Sequence, residues 1–225
     1  MRVYDLTPAI NERLAVFPGD VGYRREISLD FSKGHHLQLS SFSTTFHLGA
    51  HADSSSHYSV KGEGVDRRPL SSFAGRTQVV RVQVSRGERV LPKHLKAEIQ
   101  APRVLFYTGT FLDPTQWNSD FASLSPELIE FLQEKGVKLV GIDTPSVDPE
   151  DSKALESHQA LARTGMAVLE GELSTAVTAG SFAKLRPEPD RHPAVGIVEV
   201  RTQPHRLAGG AEVGIGVQQF LEEHA

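Results

Sequence analysis

A chain of 225 residues with 39% hydrophobic and 23% charged residues has the mixture of a folded globular protein and length enough to bury a core, which excludes the disordered and fibrous classes. A formal net charge of −4 leaves no broad cationic surface for screening phosphates, so nucleic acid is not an expected partner. Cysteine is absent, so disulfides, thiolate nucleophiles and Cys-based zinc sites are all excluded, and any transition metal must be held by His, Asp or Glu. There is no run of ~18 apolar residues to span a bilayer, and the opening MRVYDLTPAINERL lacks the apolar core of a signal peptide. A single domain over 1–225, cytoplasmic and without a membrane partner, is the expectation.

In chain order, the first strong signal is the turn Phe17-Pro18-Gly19-Asp20, which would project Phe17 from a loop. Residues 38–46 (QLSSFSTTF) are β-prone and run directly into a cluster of histidines. Residues 77–84 (TQVVRVQV) and 103–108 (RVLFYT) read as strands, with a short helix predicted between them at 92–98. Ser125-Pro126-Glu127 starts a helix: serine caps, proline suits the first helical position, and Leu128, Ile129 and Leu132 follow at helical spacing until Gly136 ends it. Residues 137–142 (VKLVGI) then form a buried strand that delivers Asp143-Thr144-Pro145-Ser146-Val147-Asp148 at its C-terminal end, where open α/β sheets gather ligands. A helix at 152–161, a short strand at 166–169 and a late strand at 194–200 complete the pattern, with a proline-broken loop at 186–193. The fold class is α/β, with a mixed β-sheet core and peripheral helices.

The chemistry concentrates in His47-Leu48-Gly49-Ala50-His51-Ala52-Asp53-Ser54-Ser55-Ser56-His57. His47, His51, Asp53 and His57 share parity, so an extended chain puts them on one face, whereas a helix would scatter His51 and Asp53. A straight strand would leave His47 and His51 roughly 13 Å apart, too far for a common ion with bonds of about 2.1 Å. The chain must bend, and Gly49 is placed to let it. On the residues alone, a metal site and a Ser/His-rich surface loop both remain open. H-E-x-x-H, G-x-S-x-G, the P-loop and G-x-G-x-x-G are absent, which removes support for serine-hydrolase and nucleotide-binding readings.

This stretch resembles the signature H-x-G-T-H-x-D-x-P-x-H of the cyclase-like metal-dependent hydrolases, a family that includes bacterial kynurenine formamidase. Three further stretches resemble family sequence in the same order: the F-P-G-D turn, GIDTPSVDP from Gly141, and DSKALESH followed by VLEG between Asp151 and Gly171. The resemblance covers roughly residues 1–171 and implies the swivelling β/β/α cyclase-like fold, assembled as a homodimer. It further implies that His47, His51 and Asp53 hold one metal, that Asp53 bridges to a second, and that His158 and Glu170 complete the pair, with Glu172 the neighbouring alternative to Glu170. Two Zn2+ ions are the first expectation and Mn2+ the second, since His and carboxylate ligands suit either. By the same resemblance, His57 is the acid–base group and Phe17, standing where the family usually has Trp, is a substrate-binding residue for an aryl ring. Asp143 and Asp148 sit in a loop that lines the family site, but on spacing alone they are equally turn residues and stay outside the catalytic set.

The implied reaction is hydrolysis of a small aromatic amide, N-formylkynurenine to kynurenine and formate, by metal-activated water. Hydrolysis of a cyclic amide or lactone, as by isatin hydrolase, is the enzymatic alternative. A metal-binding protein without hydrolytic activity and a small-ligand carrier are the non-enzymatic ones. Ala50 stands in place of the family Thr and Ser55 in place of the family Pro, and the last fifty or so residues differ from the family tail.

Overall fold

Strict alternation of side chains builds the centre of the molecule. In the computed structural model, which describes residues 6–171, 195–203 and 218–222, three neighbouring segments each send alternate residues to opposite faces. They are β6 (Arg103–Tyr107), β8 (Leu139–Ile142) and β9 (Ala167–Glu170). Val104, Phe106, Val140, Ile142 and Val168 enter one core, while Leu105, Leu139, Ala167 and Leu169 enter a second. Both faces are covered, which is why these strands read as continuous apolar runs rather than alternating ones.

With β4 (Gly75–Arg81) these strands form a parallel block, β4-β6-β8-β9. Antiparallel strands flank it: β3 (His51–Asp53) against β9, β10 (Val195–Gln203) against β4, and β11 (Gln218–Glu222) against β10. The result is a seven-stranded mixed sheet of order β11-β10-β4-β6-β8-β9-β3. A separate parallel pair joins β5 (Arg89–Val90) to β7 (Ser123–Leu124).

Two helices pack together on the first face, contributing Leu128, Ile129 and Leu132 from α2 (Pro126–Glu134) and Ala160 and Leu161 from α3 (Glu156–Thr164). Each such fully buried large apolar side chain contributes roughly 1.5–3 kcal/mol. Ser125 caps α2, its Oγ accepting from Leu128 N at 3.1 Å, and Pro126 occupies the first helical position, as the sequence predicts. Helix α3 crosses from β8 to the parallel β9, packs on α2, and brings His158 to Asp53 of β3.

Three expectations are corrected. The helix predicted at 92–98 is only a 3-10 turn, Pro92–His94. The buried Gln78 side chain donates to Glu98 O at 2.9 Å and accepts from Gln100 N at 2.7 Å, which pins the backbone after the turn to β4. The predicted strand 38–46 shortens to β2 (Leu39–Ser43), which pairs with β1 (Arg24–Leu29) in a two-stranded ribbon outside the main sheet. His47 accordingly lies in irregular backbone rather than at the end of that strand. Shared extended parity also stops at Asp53, because His57 sits on a single helical turn, α1 (Ser55–Tyr58). The proline-broken loop predicted at 186–193 lies outside the described residues.

Candidate metal centre and its cavity

Register assembles the first half of the site. His51 pairs with Glu170, Ala52 with Leu169 and Asp53 with Val168 across β3 and β9. Ala52 and Leu169 point into the second core, so His51, Asp53 and Glu170 all fall on the opposite face, beneath α3. His51 Nε2 stands 3.4 Å from both Asp53 Oδ1 and Glu170 Oε2, and all three residues are buried.

The bend required by the sequence lies at Gly49. Its φ of +58° is left-handed, and a Cβ there would stand 2.9 Å from Leu14 Cδ2, so glycine answers two demands at once. The turn carries His47 back until its Nδ1 is 3.1 Å from His51 Nε2 and 3.1 Å from Asp53 Oδ1. His51 Nδ1 contacts Gly49 O at 3.0 Å, so the bend itself aims Nε2 of that ring at the carboxylates.

Helix α3 brings the other half. His158 Nε2 lies 3.4 Å from Asp53 Oδ2 and 3.4 Å from Glu170 Oε1, while its Nδ1 is 2.8 Å from Asp148 Oδ2. Glu170 Oε1 also accepts from Val147 N at 2.7 Å. Asp53 therefore turns one oxygen toward His47 and His51 and the other toward His158. Asp53 Oδ2 and His158 Nε2 are buried and make no hydrogen bond. Buried polar atoms are rarely left without a partner, and a carboxylate oxygen facing an imidazole nitrogen is a donor set suited to a divalent cation. His51, Asp53 and Glu170 each offer a ligand atom within 4.8 Å of the others, and so do His47, Asp53 and His57. The residues fit a metal centre.

The electrostatics of the metal-free cluster follow from that crowding. Burial opposes charge on His51, but Asp53 and Glu170 outweigh it and raise its pKa to about 10. Burial likewise opposes charge on His158, and Asp148, Asp53 and Glu170 outweigh it to hold its pKa well above 6.5. Against the burial that would raise it, Asp53 is held well below the usual carboxylate range by His158, His47 and His51. His57 behaves differently: burial pushes its pKa below 6.5, with only partial compensation from Asp53.

The His57 ring lies 4.2 Å, centroid to centroid, from His47, which with its neighbours shields part of the imidazole although the residue keeps an exposed edge. Ser55, in place of the family proline, occupies the first position of α1, a position proline favours. Its Oγ accepts from Glu63 N at 2.9 Å, and Ser56 N donates to Glu63 O at 3.2 Å, so hydrogen bonds tie down the turn that carries His57.

A cavity opens beside the cluster at the C-terminal ends of the parallel strands, with His47 and His51 on one side and Leu14, Phe111 and Trp117 on the other. Phe17 packs against Trp117 with ring centroids 4.6 Å apart, and it is Trp117 that lines the cavity. Trp117 Nε1 donates to Glu150 Oε2 at 2.7 Å, which orients the indole. Asp143 also borders the cavity, but its carboxylate accepts from Thr108 N, Thr108 Oγ1 and Gly109 N, and burial raises its pKa to about 6. It secures the turn after β6, consistent with the turn-residue reading.

His47, His51, Asp53, His57, His158 and Glu170 thus converge, and Phe17 reaches the cavity wall through Trp117. Glu172 lies outside the described residues. Sequence reasoning left out Asp148, whose partner His158 is ten residues away, and Trp117, for which no local motif exists.

Residues 4–149 match the family model Cyclase, described as “Putative cyclase”. The chain is 36% identical over 183 residues to the kynurenine formamidase of Bordetella petrii, spanning 80% of this chain and 87% of that protein. A solved structure described as a potential metal-dependent hydrolase with cyclase activity superposes with a TM-score of 0.74 at 18% identity, over 98% of this chain and 96% of that one. Isatin hydrolase A from Labrenzia aggregata, bound to benzyl benzoate, superposes with a TM-score of 0.68 at 20% identity, over 98% and 93%. At these identities the two structures speak to the fold, and both share it.

Proposed function

We propose that this chain, which belongs to the Cyclase family, is a metal-dependent hydrolase that cleaves N-formylkynurenine to kynurenine and formate. The observation that carries the proposal is the split of Asp53 between two sets of ligand atoms, His47 and His51 at Oδ1 and His158 at Oδ2, beside a cavity with an aromatic wall. Likeness to a kynurenine formamidase over most of both chains supports the substrate.

In this reading His47, His51 and Asp53 Oδ1 would hold one Zn2+, and Asp53 Oδ2, His158 and Glu170 a second, with Mn2+ the alternative ion. Such a pair supplies Lewis acidity, lowering the pKa of water and polarising the formyl carbonyl. The protein supplies the rest. Trp117 and Phe111 line the cavity where the aryl ring of the substrate would sit, and Phe17 packs against the Trp117 indole. His57, whose lowered pKa keeps a ring nitrogen unprotonated at neutral pH, takes a proton from the attacking water and returns it to the anilide nitrogen as the C–N bond breaks. Formate and the free aryl amine leave.

The functional unit is a homodimer. A two-stranded ribbon is marginally stable by itself, and the β1–β2 ribbon holds Leu39 at 53% and Phe42 at 69% exposure, an apolar surface suited to a second copy.

The test is hydrolysis of N-formylkynurenine and isatin by protein stripped with chelator and reloaded with Zn2+ or Mn2+. Activity on the formamide that vanishes on stripping and returns near two ions per chain supports the proposal. Faster opening of isatin moves the assignment to cyclic amides, and stoichiometric metal without turnover of either substrate overturns the enzymatic reading.

A further inference from the structure

Asp148 has no exposed surface, and its carboxylate is fully committed. Oδ1 accepts from Arg89 Nη1 and Ser157 N, both at 3.0 Å, and Oδ2 accepts from His158 N at 3.0 Å and from His158 Nδ1 at 2.8 Å. A carboxylate only accepts, so Nδ1 of His158 carries a proton and Nε2 is the nitrogen left for a ligand. That nitrogen is the one placed 3.4 Å from both Asp53 Oδ2 and Glu170 Oε1.

Arg89 comes from elsewhere in the fold. It lies on β5, next to β7, and the same Nη1 also donates to Leu124 O and Ser157 Oγ, each at 2.8 Å, while Nη2 donates to Glu156 Oε2 at 2.8 Å. The guanidinium is thus fixed between the small β5–β7 pair and the start of α3, with one corner on the buried carboxylate.

We propose that Asp148 is the positioning residue for His158, and that Arg89 fixes the rotation of its carboxylate against the ring, so that Nε2 is the nitrogen presented to the metal side. The proposal rests on the metal reading of the cluster and adds residues that belong to neither ligand set. Asp148 also accepts from two N–H groups in the first turn of α3, so a simple deletion confounds loss of a helix cap with loss of ring orientation.

Asparagine separates the two roles. It keeps one of the two bonds to α3, because one oxygen becomes an NH2 group that must face donors on one side or the other. Arg89 and Ser157 N keep the amide oxygen at the Oδ1 place, so the NH2 takes the place of Oδ2, gives up the bond from His158 N and donates to Nδ1, which forces the imidazole proton onto Nε2. Replacing Arg89 as well frees the amide to turn over.

The experiment is a chelator-competition titration with Zn2+ alone on wild type, Asp148→Asn and Asp148→Asn/Arg89→Met, alongside melting of each metal-free protein. Asp148→Asn is expected to keep a metal-free Tm within about 4 °C of wild type while Zn2+ affinity at the weakened position falls roughly 10–100-fold, with partial recovery in the double variant. Wild-type affinity in a folded Asp148→Asn protein overturns the positioning role, and no recovery in the double variant overturns the part given to Arg89. If Asp148→Asn does not fold, Asp148→Ser, whose shorter hydroxyl does not reach the ring, is read in the same way. Failure of both to fold assigns Asp148 to structure alone and rejects the proposal. A wild-type protein that takes up no Zn2+ instead rejects the metal reading on which the proposal stands.

Discussion

His51 and Glu170 are direct partners across the antiparallel β3–β9 pair, and their side chains meet with Nε2 and Oε2 3.4 Å apart. A candidate ligand from the first quarter of the chain and one from far beyond it are thereby joined by strand register. A slip of one residue would send His51 and Asp53 to the other face and Ala52 into the site.

That register can be broken next to these residues without replacing one. A Cβ on Gly171 would stand 2.1 Å from the carbonyl oxygen of Gly49, at a φ of +68°. Gly171→Ala should therefore separate the β9 end from the His47–His51 bend, costing about 2 kcal/mol in denaturant unfolding and abolishing high-affinity metal uptake. Gly49→Val, at φ +58°, should lose metal for the related reason that the bend cannot form. Wild-type metal content in both variants would show that the bend is dispensable.

His57 separates chemistry from binding. His57→Ala should retain the full complement of metal by elemental analysis while turnover drops by roughly 10²–10⁴-fold. Loss of metal in this variant would make His57 a ligand instead, as its grouping with His47 and Asp53 allows. Because burial sets the pKa of His57 below 6.5, its neutral, proton-accepting form persists to lower pH than for a free imidazole. The acid limb of kcat/KM should accordingly fall below pH 6.5 and be absent from the residual activity of His57→Ala.

Metal uptake should release protons. In the metal-free protein His51 has a pKa of about 10 and His158 is also raised, so at neutral pH both carry protons on nitrogens that an ion needs. Affinity should rise with pH up to about 10, and calorimetry in buffers of different ionisation enthalpy should report proton release. Buffer-independent heats would contradict that protonation state.

Trp117 is the one tryptophan of the chain and lines the cavity, so its fluorescence is a direct report of occupancy. An aryl amine product should change its emission saturably, and Trp117→Leu should raise KM roughly tenfold with a smaller effect on kcat. Unchanged emission at saturating product would remove the indole from the substrate wall.

Local patterns were legible where local chemistry decides the structure. Ser125 and Pro126 mark the start of α2 because capping and a fixed φ act within a few residues, and shared parity places His51 and Asp53 on one face of β3. His158 and Glu170 carry no such signal; only family resemblance ties them to residues a hundred positions earlier, and sheet order brings them together. The Pro92 segment misleads for the complementary reason, since a side chain from β4 claims its backbone. Asp148 reads like any turn aspartate until α3 lays His158 against it.

The most direct measurement of the central claim is anomalous diffraction at the zinc edge from crystals of the Zn2+-loaded protein. The account predicts anomalous density on both sides of the Asp53 carboxylate, one peak within bonding reach of His47 and His51, the other of His158 and Glu170. Density elsewhere, or none near Asp53 in a protein that has taken up zinc, would contradict it.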